Sequence, residues 1–114
     1  MAATRILVVE DEFLIALDIA AALEQAGLAV VGPAGTVGDA LHAIAQQDVH
    51  GALLDAHLAS QPVGRVADAL KARNIPFAFV SGYGREQLPA AHRNAVLVKK
   101  PFTDRDLLAA IARF

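Results

Sequence analysis

The sequence predicts an α/β domain built on a doubly wound parallel sheet. Short apolar runs alternate with stretches of helical period along the 114 residues, which is the pattern of repeated strand–helix–strand units. Several of the apolar runs also end on polar or charged residues, as strands do at the edge where open α/β sheets hold their chemistry. The length suits one domain with a single core, and no repeat, linker or low-complexity stretch divides residues 1–114.

Five short apolar runs, each followed by turn residues, are the predicted strands. The run at 51–55 is apolar up to its last residue and therefore suits a central strand that is buried on both faces. The run at 28–31 is expected to stop at Gly32-Pro33, because both residues interrupt strands. The predicted strands are residues 5–9, 28–31, 51–55, 76–80 and 95–98.

Helical spacing of apolar residues fills the intervals between the strands. Gly27 is a typical carboxyl cap for the first helix, and Thr103 with Asp106 forms a predicted capping box at the start of the last one. The stretch 85–94 is short and polar and contains Pro89, so any helix there should be weak and mobile. The predicted helices are residues 12–26, 37–47, 62–73, a weak one within 85–94, and one that follows residue 103. Right-handed crossovers then give the flavodoxin-like strand order 2-1-3-4-5.

Composition excludes several classes of partner. Hydrophobic residues make up 55% of the chain, but no apolar run approaches the roughly 18 residues of a membrane span. The net charge of −2 with mixed signs offers no basic stripe for nucleic acid. There is no cysteine, and the first four residues lead into a strand without a signal peptide. We expect a cytoplasmic protein that binds neither membranes nor nucleic acid.

Charged residues at the strand ends predict the functional site. Glu10 and Asp11 follow the first strand and Asp55 ends the third, so the neighbouring strands of the predicted sheet would bring three carboxylates together. Such a cluster repels itself unless a cation sits within it, and Mg²⁺ prefers oxygen ligands of this kind. Mg²⁺ and Lys100, after the fifth strand, would balance the three negative charges. Ser81, after the fourth strand, could donate to a phosphoryl group carried by Asp55.

Each of these residues also has a structural interpretation. A strand-end Asp is often a turn former or helix cap, and acidic residues at positions 10–12 could simply favour the start of the first helix. The combination, with each residue at the end of a different strand, is what favours a site. The histidines share no spacing and are expected in surface or cap roles, although His57 lies near Asp55; they are His42, His50, His57 and His92.

These residues resemble the signature of the receiver domain of two-component response regulators. The motifs match in order and span nearly the whole chain: Val8-Val9-Glu10-Asp11-Glu12, Leu53-Leu54-Asp55, Val80-Ser81-Gly82 and Lys100-Pro101-Phe102. The resemblance implies that Asp55 is the phosphoacceptor and that Glu10, Asp11 and the main-chain carbonyl of His57 help hold Mg²⁺. It also implies that Ser81 and Lys100 bind phosphoryl oxygens, with Lys100 chosen over Lys99 because it directly precedes a proline whose peptide bond is typically cis.

The switch region departs from the common receiver pattern. Receivers usually carry Tyr or Phe three residues before the lysine, and this chain has Leu97 there. The stretch from Pro76 to Tyr83 is instead similar to that of the FATGUY receivers, which lack the aromatic switch. Phe77 and Phe79 are interpreted as core residues of the fourth strand, whereas Tyr83 is hard to bury. We therefore expect phosphorylation to act by ordering residues 81–94.

The resemblance implies a signalling protein that catalyses only its own phosphorylation and dephosphorylation. Its donor would be a histidine kinase or histidine phosphotransfer protein, and because the chain ends on the last helix, we expect a single-domain regulator, monomeric or weakly dimeric, that acts on another protein. A haloacid-dehalogenase-type phosphatase would require an Asp where His57 stands. A flavodoxin-like cofactor module would need a phosphate loop where residues 10–12 are acidic. A degenerate receiver used only for protein binding is disfavoured by the intact Asp55 and Lys100.

Overall fold

The computed structural model describes residues 3–58 and 61–114 and contains one five-stranded parallel sheet with the order β2-β1-β3-β4-β5. This order confirms the predicted doubly wound, flavodoxin-like topology. The elements are β1 (Arg5–Val9), α1 (Phe13–Gln25), β2 (Ala29–Ala34), α2 (Val37–Gln46), β3 (Gly51–Asp55), α3 (Gly64–Ala72), β4 (Phe77–Ser81), β5 (Val96–Lys99) and α4 (Asp104–Ile111).

The central strands separate two apolar cores. Successive strand residues face opposite sides, so Leu54 packs on the face covered by α2 and α3, while Leu53 packs on the face covered by α1 and α4. Both leucines are almost fully buried. Parallel pairing of β3 with β1 on one side and β4 on the other brings the carboxyl ends of the three strands together. The fold thereby places residues 10, 55 and 81 at one edge.

The expectation that β2 stops at Gly32-Pro33 is wrong. The strand continues to Ala34, and its register against β1 shifts between Leu7↔Val31 and Val9↔Ala34, so that β2 contains one extra residue. Pairing resumes beyond the bulge, where the N–H of Glu10 donates to the carbonyl of Ala34 at 3.0 Å. β2 lies at the edge of the sheet, where a proline without an N–H is tolerated, especially in a bulge.

The helix ends agree in part with the predictions. Gly27 adopts a positive φ of 84° directly after α1, and the predicted capping box of Thr103 and Asp106 is present at α4. α3 begins at Gly64 rather than at residue 62, because residues 62 and 63 form only a turn that leads into it. The loop before it contains residues 59 and 60, which lie outside the described residues, as do residues 1 and 2.

No α-helix forms between β4 and β5. Two single-turn 3-10 helices, Arg85–Gln87 and Ala90–His92, take its place. The weak helix expected there is thus reduced to two short turns separated by Pro89, which lacks the N–H that a continuous helix would need. Among the described helices, none is both long and apolar enough to cross a membrane.

Candidate functional site

Asp55 lies at the carboxyl end of the central strand and is only 5% exposed. Its Oδ1 accepts a hydrogen bond of 3.0 Å from the main-chain N–H of His57, which fixes the carboxylate at the mouth of the β3–α3 loop. The same oxygen lies 3.7 Å from Nζ of Lys100. A buried carboxylate at this edge is therefore held by a main-chain donor and faces a cation.

Glu10 follows β1 and is even more buried than Asp55, at 3% exposure. Its Oε2 accepts from the N–H of Glu12 at 3.2 Å, and its Oε1 lies 3.3 Å from Nζ of Lys100. Burial, with the neighbouring Asp55 adding a hydrogen bond and charge repulsion, raises the pKa of Glu10 from 4.5 to about 7. This carboxyl therefore holds its proton to a higher pH than a free glutamate does unless a further cation joins the site.

Lys100 bridges the two buried carboxylates from the loop after β5. Burial by itself lowers its pKa, but the negative charges of Asp55 and Glu10 outweigh that effect and raise it above the ordinary lysine value. The preceding Lys99 is the last residue of β5 and is exposed. The choice of Lys100 over Lys99 as the residue that reaches the site agrees with this geometry, and the Lys100–Pro101 peptide bond is cis, as the resemblance implied.

Asp11 completes an acidic cluster with Glu10 and Asp55. One carboxylate oxygen from each of the three residues lies within 4.8 Å of the others, and Asp11 is exposed where the other two are buried. Clustered carboxylate oxygens that are open to solvent on one side suit a hard divalent cation that keeps part of its water shell. The donor set therefore fits Mg²⁺.

Ser81 ends β4 beside this cluster and is fully buried. Its Oγ accepts from the N–H of Tyr83 at 3.0 Å, and its carbonyl accepts from the N–H of Lys100 at 2.8 Å. Tyr83 is 60% exposed, as expected, and its ring meets that of His57 edge-on with 4.8 Å between centroids. The exposed rings of His57 and Tyr83, two residues after Asp55 and Ser81 respectively, thus pack against each other.

The surface or cap role expected for His92 is wrong. This residue is 6% exposed, and its Nε2 lies 2.6 Å from Oδ1 of Asp68 on α3. Its ring also packs against Phe77 and Phe79, the two aromatic residues of β4 that were expected in the core. Nothing in the spacing of the histidines indicated this position, since the contact joins residues 24 positions apart.

Known proteins resemble the chain over nearly its whole length, although no family model matches it. The solution structure of SdrG from Sphingomonas melonis Fr1 is 36% identical, with a TM-score of 0.85, and the match covers 98% of this chain and 97% of that one. The BeF3-activated conformation of SdrG from Pseudomonas melonis Fr1 is 38% identical over 98% and 97% of the two chains, with a TM-score of 0.80. The CheY-like response regulator receiver domain protein from Methanospirillum hungatei JF-1 is 28% identical over 98% and 93% of the two chains, with a TM-score of 0.84.

A curated relative, the phyllosphere-induced regulator PhyR of Methylorubrum extorquens, is 35% identical over 97% of this chain. The chain spans only 43% of that relative's length.

The sheet order and the acidic edge agree with a CheY-like receiver domain. The chain belongs to the response regulator receiver domains, since it matches such proteins over 97–98% of its length and in fold.

Proposed function

We propose that this receiver domain accepts a phosphoryl group on Asp55 from a phosphohistidine of a histidine kinase or a histidine phosphotransfer protein. The observation that carries the proposal is the position of Asp55, which is buried at the carboxyl edge between the acidic pair and Lys100. Among the described aspartates Asp55 is the buried one, and Nζ of Lys100 lies 3.7 Å from its Oδ1. SdrG, a relative of this chain, has a BeF3-activated conformation, which supports the same chemistry here.

The reaction is an in-line displacement at phosphorus. A carboxylate oxygen of Asp55 forms the new O–P bond while the P–N bond to the donor imidazole breaks, and the imidazole nitrogen keeps the electron pair and takes up a proton. Lys100 stabilises negative charge on the phosphoryl oxygens. Mg²⁺ held by Glu10, Asp11, Asp55 and the main-chain carbonyl of His57 would neutralise the remaining charge.

Ser81 can take part without giving up its present contact. Its Oγ accepts from the N–H of Tyr83, so the hydroxyl hydrogen is free to be donated to a phosphoryl oxygen. A phosphoryl group adds about −1.5 to −2 charge at neutral pH, and its acceptor oxygens therefore attract the hydroxyl hydrogen. Ser81 thereby links the chemistry at Asp55 to the chain that follows β4.

The signal would then pass through residues 81–94 and the adjoining face of β5 and α4. Leu97 supports this route because it packs half-buried against the core, and no aromatic side chain stands at that position to rotate. The resemblance to the FATGUY receivers points to the same region. The reader of the signal is a downstream protein.

A protein donor also has an apolar surface to contact beside the site. Phe13 and Leu14 begin α1, three and four residues after Glu10, and both are nearly three-quarters exposed; Leu17, one turn further, is half exposed. Exposed large apolar side chains grouped next to a reactive group are typical of a surface that binds another protein.

Intact mass after incubation with acetyl phosphate and Mg²⁺ tests the assignment of Asp55. We expect one added phosphoryl group on the wild-type domain and none on Asp55→Asn. Asp48→Asn, an exposed aspartate before β3, is the matched control and should be modified like the wild type. Finding the adduct on Asp55→Asn would refute the proposal.

Titration with Mg²⁺ tests the cation site separately. Because the pocket offers few hard ligands, Asp11→Ala should weaken Mg²⁺ binding by roughly tenfold or more. Asp48→Asn should bind Mg²⁺ as the wild type does. Unchanged affinity in Asp11→Ala would exclude the acidic cluster as the binding site.

A further inference from the structure

The stretch between β4 and β5 consists of two unlike halves. None of the side chains of residues 82–87 is buried, and we call these residues the arm. Residues 88–95 include the buried side chains of Leu88 and His92, and we call them the base. Exposed chain with few packing contacts opens at low free energy, so the two halves should differ in mobility.

The base is fixed to the body of the domain. His92 bonds to Asp68 on α3, and its ring lies with centroids 5.5 Å from Phe77 and 6.4 Å from Phe79. Leu88 belongs to the core beneath α2 and α3. A movement of the base would break this packing and leave a buried histidine without its partner, which is costly.

Besides the main-chain bond from the N–H of Leu88 to the carbonyl of Arg85, the arm is joined to the base by one side chain. Nη1 of Arg85 donates to the carbonyl of Arg93 at 3.0 Å and to the carbonyl of Ala95 at 2.6 Å, so both of its hydrogens are used. In the described part of the chain, no other side chain of the arm has a hydrogen bond to the base. At its other end the arm is tied to Ser81 through the N–H of Tyr83.

We propose that Arg85 is a latch, which holds the arm on the base while Asp55 is unmodified and lets it go on phosphorylation. The proposal rests on the proposed function, restricts the moving part to residues 82–87 and replaces the expected ordering of residues 81–94 by a release of the arm. The reason is that Arg85 and His92 already hold this stretch in the unmodified protein. When the hydroxyl of Ser81 turns towards the phosphoryl group, it carries the main chain of Tyr83, and Arg85 lies two residues further on. The base cannot follow, and hydrogen bonds weaken steeply once distance and angle depart from the optimum, so both bonds of Arg85 break.

Linkage makes the latch measurable. An interaction present only in the unphosphorylated arrangement stabilises that arrangement. Its removal must therefore shift the equilibrium towards the activated state by the factor that corresponds to the lost free energy. Hydrogen bonds from a charged donor are strong when buried but weaker at an exposed site, and we therefore expect a factor of roughly threefold to tenfold.

The experiment compares wild type, Arg85→Gln, Arg85→Lys and the control Arg105→Gln. Arg105 is an exposed residue of α4 with no hydrogen bond to the segment. Amide exchange of the free proteins and titration with beryllofluoride in Mg²⁺ are measured for each. In Arg85→Gln the amides of Gln87 and Leu88, which donate to the arm carbonyls of Gly84 and Arg85, should exchange roughly threefold to tenfold faster, and the beryllofluoride midpoint should fall by a similar factor. Amides bonded within the base, such as that of His92 to the carbonyl of Pro89, should not change. Arg85→Lys, which keeps the charge on a shorter side chain, should give exchange rates and a midpoint between those of the wild type and Arg85→Gln, and Arg105→Gln should match the wild type.

Two results would overturn the latch. One is an Arg85→Gln protein with wild-type exchange in the arm and a wild-type midpoint, and the other is faster exchange throughout the base. A failure of the proposed function is recognised differently, since wild type would then take up no phosphoryl group from acetyl phosphate and give no beryllofluoride response, and the latch would fall with it.

Discussion

The protonation of Glu10 depends on the fold. A free glutamate would be ionised at neutral pH, but burial beside Asp55 raises the pKa of Glu10 to about 7. In the metal-free protein the raised pKa of this carboxyl contributes stability to the fold. That stability is fully present when the pH lies below the ordinary pKa of 4.5, and it is lost as the pH rises through 7. A cation that binds the ionised carboxylate favours the ionised form and therefore lowers the pKa of Glu10.

Mg²⁺ affinity should therefore rise with pH across neutrality. Between about pH 6 and about pH 8 the ionised fraction of Glu10 increases roughly tenfold, and the Mg²⁺ association constant measured by calorimetry should increase by a similar factor. Glu10→Gln removes the titrating group and should flatten this pH dependence. Equal Mg²⁺ affinity of the wild type at both pH values would contradict the raised pKa.

His92 gives a prediction of stability at the same scale. His92→Ala removes a buried ring and leaves its pocket in the core partly empty, so the free energy of unfolding should fall by about 2–4 kcal/mol. His42→Ala, at an exposed position of α2, should change it by no more than about 0.5 kcal/mol. Urea denaturation measures both. Equal effects of the two substitutions would show that the contacts of His92 with Asp68 and the phenylalanines contribute nothing.

At the scale of elements, β2 shows that an edge strand can contain residues such as Gly32 and Pro33, which would interrupt a central strand. Gly32 has a positive φ of 92°, and a Cβ there would lie 2.6 Å from the main-chain nitrogen of Ala34 and 3.1 Å from the carbonyl oxygen of Val8. Both neighbours are main-chain atoms and cannot swing aside. The bulge therefore requires glycine at this position.

Gly32→Ala should lower the free energy of unfolding by about 2–3 kcal/mol, since it adds left-handed strain to a main-chain clash. The matched substitution Gly38→Ala in α2, where the nearest atom to a Cβ is 3.9 Å away, should stabilise the protein by up to about 1 kcal/mol. Thermal or urea unfolding of the pair gives the comparison. A destabilisation of similar size at both positions would argue against the bulge geometry.

At the scale of the whole molecule, the central sheet carries two cores, and each depends on a few large side chains of β3. Leu54→Ala should lower the free energy of unfolding by about 2–5 kcal/mol, because it leaves a cavity between β3 and the helices α2 and α3. Leu17→Ala, on the exposed side of α1, should have an effect within about 0.5 kcal/mol. An equally small change in the free energy of unfolding for Leu54→Ala would show that the core beneath α2 and α3 contributes little to stability.

The sequence by itself determined the strand order and the residues at the carboxyl edge. Apolar runs that end on Glu10, Asp55, Ser81 and Lys100 are a local signal, and strand alternation with the crossover rule is enough to bring those ends together. The cap at Gly27 and the capping box at Thr103 were predictable for the same reason, since each depends on a few neighbouring residues.

Only the tertiary structure decided the continuation of β2 past Gly32-Pro33, the partner of His92 and the contacts of Arg85. A proline breaks or extends a strand according to whether that strand lies at an edge, which is a property of the assembled sheet. His92 meets Asp68 across 24 positions, and Arg85 bonds to main-chain carbonyls that any sequence would supply, so no residue type marks either contact in advance. Local propensity depends on neighbouring residues, whereas burial and long-range hydrogen bonds exist only once distant parts of the chain have packed together.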